Sequence, residues 1–130
     1  MYIKRGVSEV EQIVAQDLFG GHGIVRGRQV LGEDSALIGV LPGFPDDFDS
    51  GINFIHETIM DVGTLVGTHP HENSEEVYFF IEGNAKMIVD GETVMIQQGD
   101  AILTKKGSTH SIENVGDIPL RFMVVEGQVK

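Results

Sequence analysis

The 130-residue chain contains no cysteine. Disulfides, cysteine-ligated zinc and a thiol nucleophile are therefore excluded. Basic residues are scarce: nine Lys and Arg stand against twenty Asp and Glu, for a formal net charge of −11. Such a field repels phosphate backbones and anionic lipid, which argues against a nucleic-acid or membrane partner. Long apolar runs are also missing. Stretches such as 77–81 fall far short of the roughly 18 residues that a membrane span requires. Met1-Tyr2-Ile3-Lys4-Arg5-Gly6 leads straight into Ser8-Glu9-Val10-Glu11 without the apolar core of a secretory signal, so the expected location is the cytoplasm. Proline is sparse at four residues, whereas glycine reaches 17, well above its ordinary share of about 7%. Many tight turns between short strands fit that balance.

What is present is an ordinary globular composition, 41% hydrophobic and 22% charged, in a chain of single-domain length. It is long enough to bury a core without covalent staples. Residues rich in β-branched and aromatic side chains predict strands over 24–31, 35–41, 52–60 and 77–81. Further short strands are expected over 85–89, 93–97, 101–104, 110–113 and 120–125, and Asp90-Gly91 is a strong hairpin signal between two of them. Only 7–19 reads as a helix: Val7, Val10, Ile13, Val14 and Leu18 follow the helical period, and Ser8 with Glu11 forms a capping-box pattern. The expected fold is thus all-β, a barrel or sandwich with one short N-terminal helix. The expected organisation is one domain over 1–130, with an arm and helix over about 1–20 and the barrel over about 24–127. The loop 41–51, with two prolines, three aspartates and two phenylalanines, is either surface connection or cover for a barrel mouth.

Chemistry concentrates in one stretch. His69 and His71 are one residue apart, so extended backbone sends both rings to the same face. Glu72, Glu75 and Glu76 follow closely, and His110 offers a third imidazole. Imidazole and carboxylate together are the ligand types of a divalent transition metal.

These residues resemble the two motifs of the cupin superfamily. The first reads Gly63, His69, His71, Glu76, Gly83 and the second Gly99, Lys105, Gly107, His110, Asn114, with every spacing of the family. Lys105 stands where the family usually has proline, a change that removes no ligand. The resemblance implies a jelly-roll barrel in which His69, His71, Glu76 and His110 bind one divalent transition metal per chain; Fe, Mn, Ni and Zn are not distinguished. It selects Glu76 over Glu75, and strand alternation agrees, since Glu76, Tyr78, Phe80 and Glu82 share one face. Three neutral imidazoles and one carboxylate would leave the ion with net charge +1. An octahedral ion would keep two positions open, whereas a tetrahedral zinc would be saturated. The implied function is metal-dependent chemistry on a small polar molecule, of dioxygenase, decarboxylase, lyase or isomerase type. The alternatives are a non-catalytic binding or sensor module and a structural metal cupin. Small cupins also resemble one another in forming homodimers, and Tyr2-Ile3-Lys4-Arg5 offers an edge strand for such pairing.

Other candidates depend on which way a strand faces. His56 and Glu57 lie on opposite faces of 52–60, so one of them can enter the barrel as a general acid or base. Arg26 and Arg28 share a face, and if it is inward they could fork a carboxylate or phosphate. Tyr78, Phe80 and Met87 are expected in the pocket or core. His22, within Gly20-Gly21-His22-Gly23, reads as an exposed turn residue.

Overall fold

Alternation of apolar and polar residues needs a partner surface on one side only, and the computed structural model, which describes residues 1–33 and 43–129, supplies it by facing two sheets. The strands are β1 (Gln12–Gln16), β2 (Ile24–Gly32), β3 (Ile52–Met60), β4 (Leu65–Pro70), β5 (Ser74–Glu82), β6 (Ala85–Val89), β7 (Glu92–Ile96), β8 (Ala101–Thr104), β9 (Thr109–Asn114) and β10 (Leu120–Gln128). The larger sheet runs β1-β2-β3-β10-β5-β8 and the smaller β4-β9-β6-β7. All paired strands are antiparallel. Phe54, Met60, Phe80 and Phe122 of the larger sheet meet Val66, Met87, Ile96 and Ile112 of the smaller in one core. Each such side chain, fully buried, contributes about 1.5–3 kcal/mol, which makes this packing the main support of the fold.

The expected strand over 35–41 lies outside the described residues. The hairpin at Asp90-Gly91 forms as expected: both residues have positive φ, 49° and 81°, and Val89 pairs directly with Glu92. That is the backbone twist a two-residue hairpin requires.

The N-terminal segment differs from the expected helix over 7–19. Helical character is confined to single 3₁₀ turns at Val7–Glu9 and Leu18–Gly20, and Gln12–Gln16 between them is strand β1. The first turn is closed by the Gly6 N–H donating to Glu9 Oε2 at 2.6 Å rather than by Ser8 and Glu11. Ile13 and Ala15 pack against the core while Val14 is exposed, so the same apolar residues satisfy period 2 as well as 3.6. The open edge of β2 decides between them, because a strand there gains a ladder of backbone hydrogen bonds.

Residues 1–6 form no strand. Arg5 is bound within its own chain, 2.5 Å from Asp47 Oδ2 and over the Phe44 ring at 3.6 Å. Asp47 also accepts the Gly32 N–H at 3.0 Å, so the described part of the loop is tied to the arm and to β2.

Candidate metal centre

Three strand positions and one residue just past a strand build the site. His69 is near the end of β4 and is the direct cross-strand partner of His110 on β9. His71 lies just past β4. Its N–H donates to Ser108 O at 3.0 Å, and its carbonyl accepts the Gly107 N–H at 2.7 Å. Gly107 has φ 86°, a conformation that costs a side chain strain and that sets the 105–108 turn beside His71. The turn closes normally with lysine in the proline place, since Ser108 N–H donates to Lys105 O at 3.1 Å. Glu76 comes from β5, facing inward with Tyr78 and Phe80. Asn114 ties the far end of β9 down: its Nδ2 donates to Met60 O and Ile118 O at 3.1 and 2.9 Å.

The three imidazoles converge. His71 Nε2 lies 2.9 Å and His69 Nε2 3.0 Å from His110 Nε2. Glu76 Oε1 is 3.2 Å from His71 Nε2 and 3.5 Å from His110 Nε2. All four residues are buried. The opposite ring nitrogens are engaged: His69 Nδ1 donates to Gly67 O at 2.8 Å, and His110 Nδ1 lies 2.8 Å from Thr104 Oγ1. The Gly67 contact fixes the His69 tautomer and leaves its Nε2 lone pair for a ligand. Phe19 stacks on His69 with ring centroids 4.3 Å apart. A side chain at Gly67 would collide with Phe19 O, so glycine lets the arm lie against β4 at this point.

Burial sets the charge states. It lowers His69, brings His110 down to about 3 and His71 to about 4, the last two aided by neighbouring imidazoles. All three are neutral near pH 7, as metal ligands must be. Burial, then the nearby Glu126, pushes Glu76 up to about 8. Glu76 is buried with Tyr78 and the His71 and His110 nitrogens as its polar neighbours and no arginine or lysine paired to it among the described residues, a costly place for a full negative charge.

A divalent cation held here would offset that cost. Donors at about 2.1 Å from one ion lie roughly 3.0 Å apart at right angles and roughly 3.4 Å apart at tetrahedral angles. The imidazole separations of 2.9 and 3.0 Å match the right-angled case. The donor set therefore fits a transition-metal ion.

The remaining candidates separate by face. His56 points into the barrel, where it shares a cavity with Thr58 and Tyr78. Glu57 points out, so it is no acid or base of the barrel interior. It is buried between Arg121 Nε at 2.7 Å and Arg28 NH1 at 3.3 Å. Arg28 is thereby committed, and Arg26 pairs with Asp61 at 3.2 Å, so neither arginine lines the pocket. The period of β3 and β2 makes this unavoidable once Phe54 and Val25 enter the core. Tyr78 lines the cavity, and its hydroxyl lies 3.3 Å from His110 Nε2, whereas Phe80 and Met87 are core. His22 is exposed, with its backbone paired to Leu65.

Sequence reasoning missed Glu126. It sits across from Glu76 in the β5–β10 register, and its donor atom lies within 4.8 Å of those of His71 and Glu76. Ser74 Oγ and Asn53 Nδ2 donate to its two oxygens at 2.9 and 3.1 Å. Its spacing of two from Val124 and Phe122 is the signal that could have placed it inward.

The sequence model of the cupin domain family matches residues 56–126, just over half of the chain. The chain belongs to the cupin family. The chain is 40% identical over 63 residues to an oxalate-binding protein of Thermotoga maritima, covering 48% of this chain and 52% of that one. An uncharacterized protein of Methanocaldococcus jannaschii is 37% identical over 67 residues, covering 52% of this chain and 54% of that one. The matched segments thus span about half the length of these curated relatives. Among solved structures, a predicted oxalate decarboxylase of Thermotoga maritima superposes with TM-score 0.83 at 25% identity, covering 98% of this chain and all of that one. The polyketide cyclase RemF of Streptomyces resistomycificus shares the fold, with TM-score 0.70 at 18% identity over 98% of this chain and 80% of that one.

Proposed function

We propose that the protein holds one divalent transition metal through His69, His71, Glu76 and His110 and uses it to act on a small carboxylic acid. The observation that carries this reading is the convergence of three imidazole Nε2 atoms beside the buried carboxyl group of Glu76. A bound divalent ion would supply a Lewis-acid centre for a carboxylate or an oxygen ligand. The chain's own part is to orient the imidazoles through Gly67 and Thr104, brace His69 with the Phe19 ring, and set Glu126 beside the centre as a fixed hydrogen-bond acceptor. The acid is suggested by the relatives, one called oxalate-binding and another a predicted oxalate decarboxylase. The first of those names also favours a second reading, binding without turnover. Titration of the metal-loaded chain with oxalate, combined with an assay for released carbon dioxide, tests both. Heat of binding with gas release supports an enzyme acting on oxalate, binding alone supports the second reading, and binding of neither oxalate nor a monocarboxylic acid such as glycolate overturns the acid assignment. A cytoplasmic location belongs to the same proposal.

We also propose that two copies pair through the outer face of the larger sheet. Val14, Phe79 and Leu103 are exposed there on β1, β5 and β8. The centre of that face carries Arg26, Arg28 and Arg121 against Glu57 and Asp61, so it escapes the acidic repulsion of the rest of the chain.

A further inference from the structure

One buried polar group on the inner wall is not used by the metal centre. His56 is 2% exposed, and its Nδ1 has no hydrogen-bond partner among the described residues. Buried polar atoms are nearly always paired, because an orphan costs on the order of 1–3 kcal/mol. The ring is held rather than loose: it stacks on Phe54 with centroids 5.0 Å apart and planes 12° from parallel. It also stays uncharged, since burial lowers its pKa to about 3.

His56 borders a cavity with room of about 20 Å³ for a water-sized sphere. That is the space of a single oxygen-sized group. Thr58 and Tyr78 are the other polar side chains around it; Val66, Ile112 and Phe122 supply apolar wall. Tyr78 joins this cavity to the metal centre, with its ring in the cavity wall and its hydroxyl 3.3 Å from His110 Nε2. A charged group entering here would lose its hydration against apolar side chains and find no counter-charge. A hydroxyl or carbonyl oxygen would fit, and it would satisfy the orphan nitrogen.

We infer that His56 is a ligand-positioning residue, whose neutral Nδ1 reads one uncharged oxygen on the inner end of a small acid held at the metal centre. This rests on the proposed small-acid function and narrows it to acids with a hydroxyl or oxo group beside the carboxylate. The imidazole is retained, on this account, at a cost to the empty protein.

The test compares acetate with glycolate, which differ by one hydroxyl, by calorimetry on the metal-loaded full chain, with metal content checked in every variant. Wild type is expected to prefer glycolate by at least tenfold. His56→Leu should melt no lower than wild type and lower that preference at least fivefold. His56→Asn, whose amide can stand at the place of Nδ1, should restore part of it. The ratio is read within each protein, so a general loss of stability cancels. A ratio unchanged in His56→Leu, or lowered equally in both variants, overturns the role of His56 while leaving the small-acid reading standing. Binding of neither acid by metal-loaded wild type removes that reading and this inference with it.

Discussion

The two faces of the six-stranded sheet treat polar groups in opposite ways. On the outer face every buried or half-buried carboxylate of the central strands has its arginine: Glu57 has two, and Asp61 has Arg26. On the inner side, among the described residues, His56 Nδ1 has no hydrogen-bond partner, Glu76 is buried with no arginine or lysine paired to it, and three imidazoles from the smaller sheet's side press nitrogen against nitrogen. The outer face is close to complete as it stands, with Arg28 Nε its one orphan among the described residues. The inner side makes physical sense with something bound, because orphaned buried groups are costly. Pairing of polar groups thus separates the ion pairs of the outer face from the imidazole cluster inside the barrel.

The largest expected effect follows from removing the ion. If metal stands at about a hundredfold over its dissociation constant, stripping it with chelator costs about 2.7 kcal/mol and lowers the melting temperature by on the order of 10 °C. His110→Ala should melt near the stripped value and no longer respond to chelator; a full response in that variant would break the contrast between the faces.

On the outer face the expected result is the reverse. Glu57→Gln leaves two arginines without their shared charge and should cost about 1–2 kcal/mol in urea unfolding, with metal content unchanged. Loss of metal in that variant would mean the two faces are coupled.

Acidity sharpens the comparison further. The lowered values of His71 and His110, about 4 and about 3, mean that the unfolded chain takes up protons first. Their contribution is complete above about pH 6.5 and is lost as pH falls toward those folded values. Glu76, raised to about 8, acts in the other direction: below its ordinary carboxyl range it is neutral and costs nothing, and the ion-free protein weakens as pH rises toward 8. A cation removes that penalty. The gap in melting temperature between loaded and stripped protein should therefore widen from pH 5 to pH 8, and a constant gap would contradict the ligand assignment.

The smallest effect concerns pairing. Light scattering is expected to give a dimer, and Phe79→Lys, at the exposed face of the larger sheet, should give a monomer with its metal retained. A monomeric wild type would defeat the pairing.

Much of this was legible in the residues because local signals and tertiary structure agree. Asp90-Gly91 demands the turn it makes, and the His69, His71 and His110 spacings place three imidazoles that the fold brings together, with Glu76 beside two of them. Legibility failed where two periods fit one string. Ile13 and Val14 serve a helix or a strand equally, and only the free edge of β2 selects the strand. The faces of β3 were open for the same reason: His56 and Glu57 are both polar, and sequence does not show which of them meets Arg28 and Arg121. Glu126 escaped notice because it lies 50 residues beyond its neighbour Glu76 and belongs to no motif; register alone joins them.

The central claim is that His69, His71, Glu76 and His110 hold one ion. Elemental analysis of the purified full chain, beside His71→Ala and His110→Ala, tests it most directly. The account predicts about one divalent transition metal per wild-type chain and almost none in either variant. Metal retained at the wild-type level in both variants would contradict it.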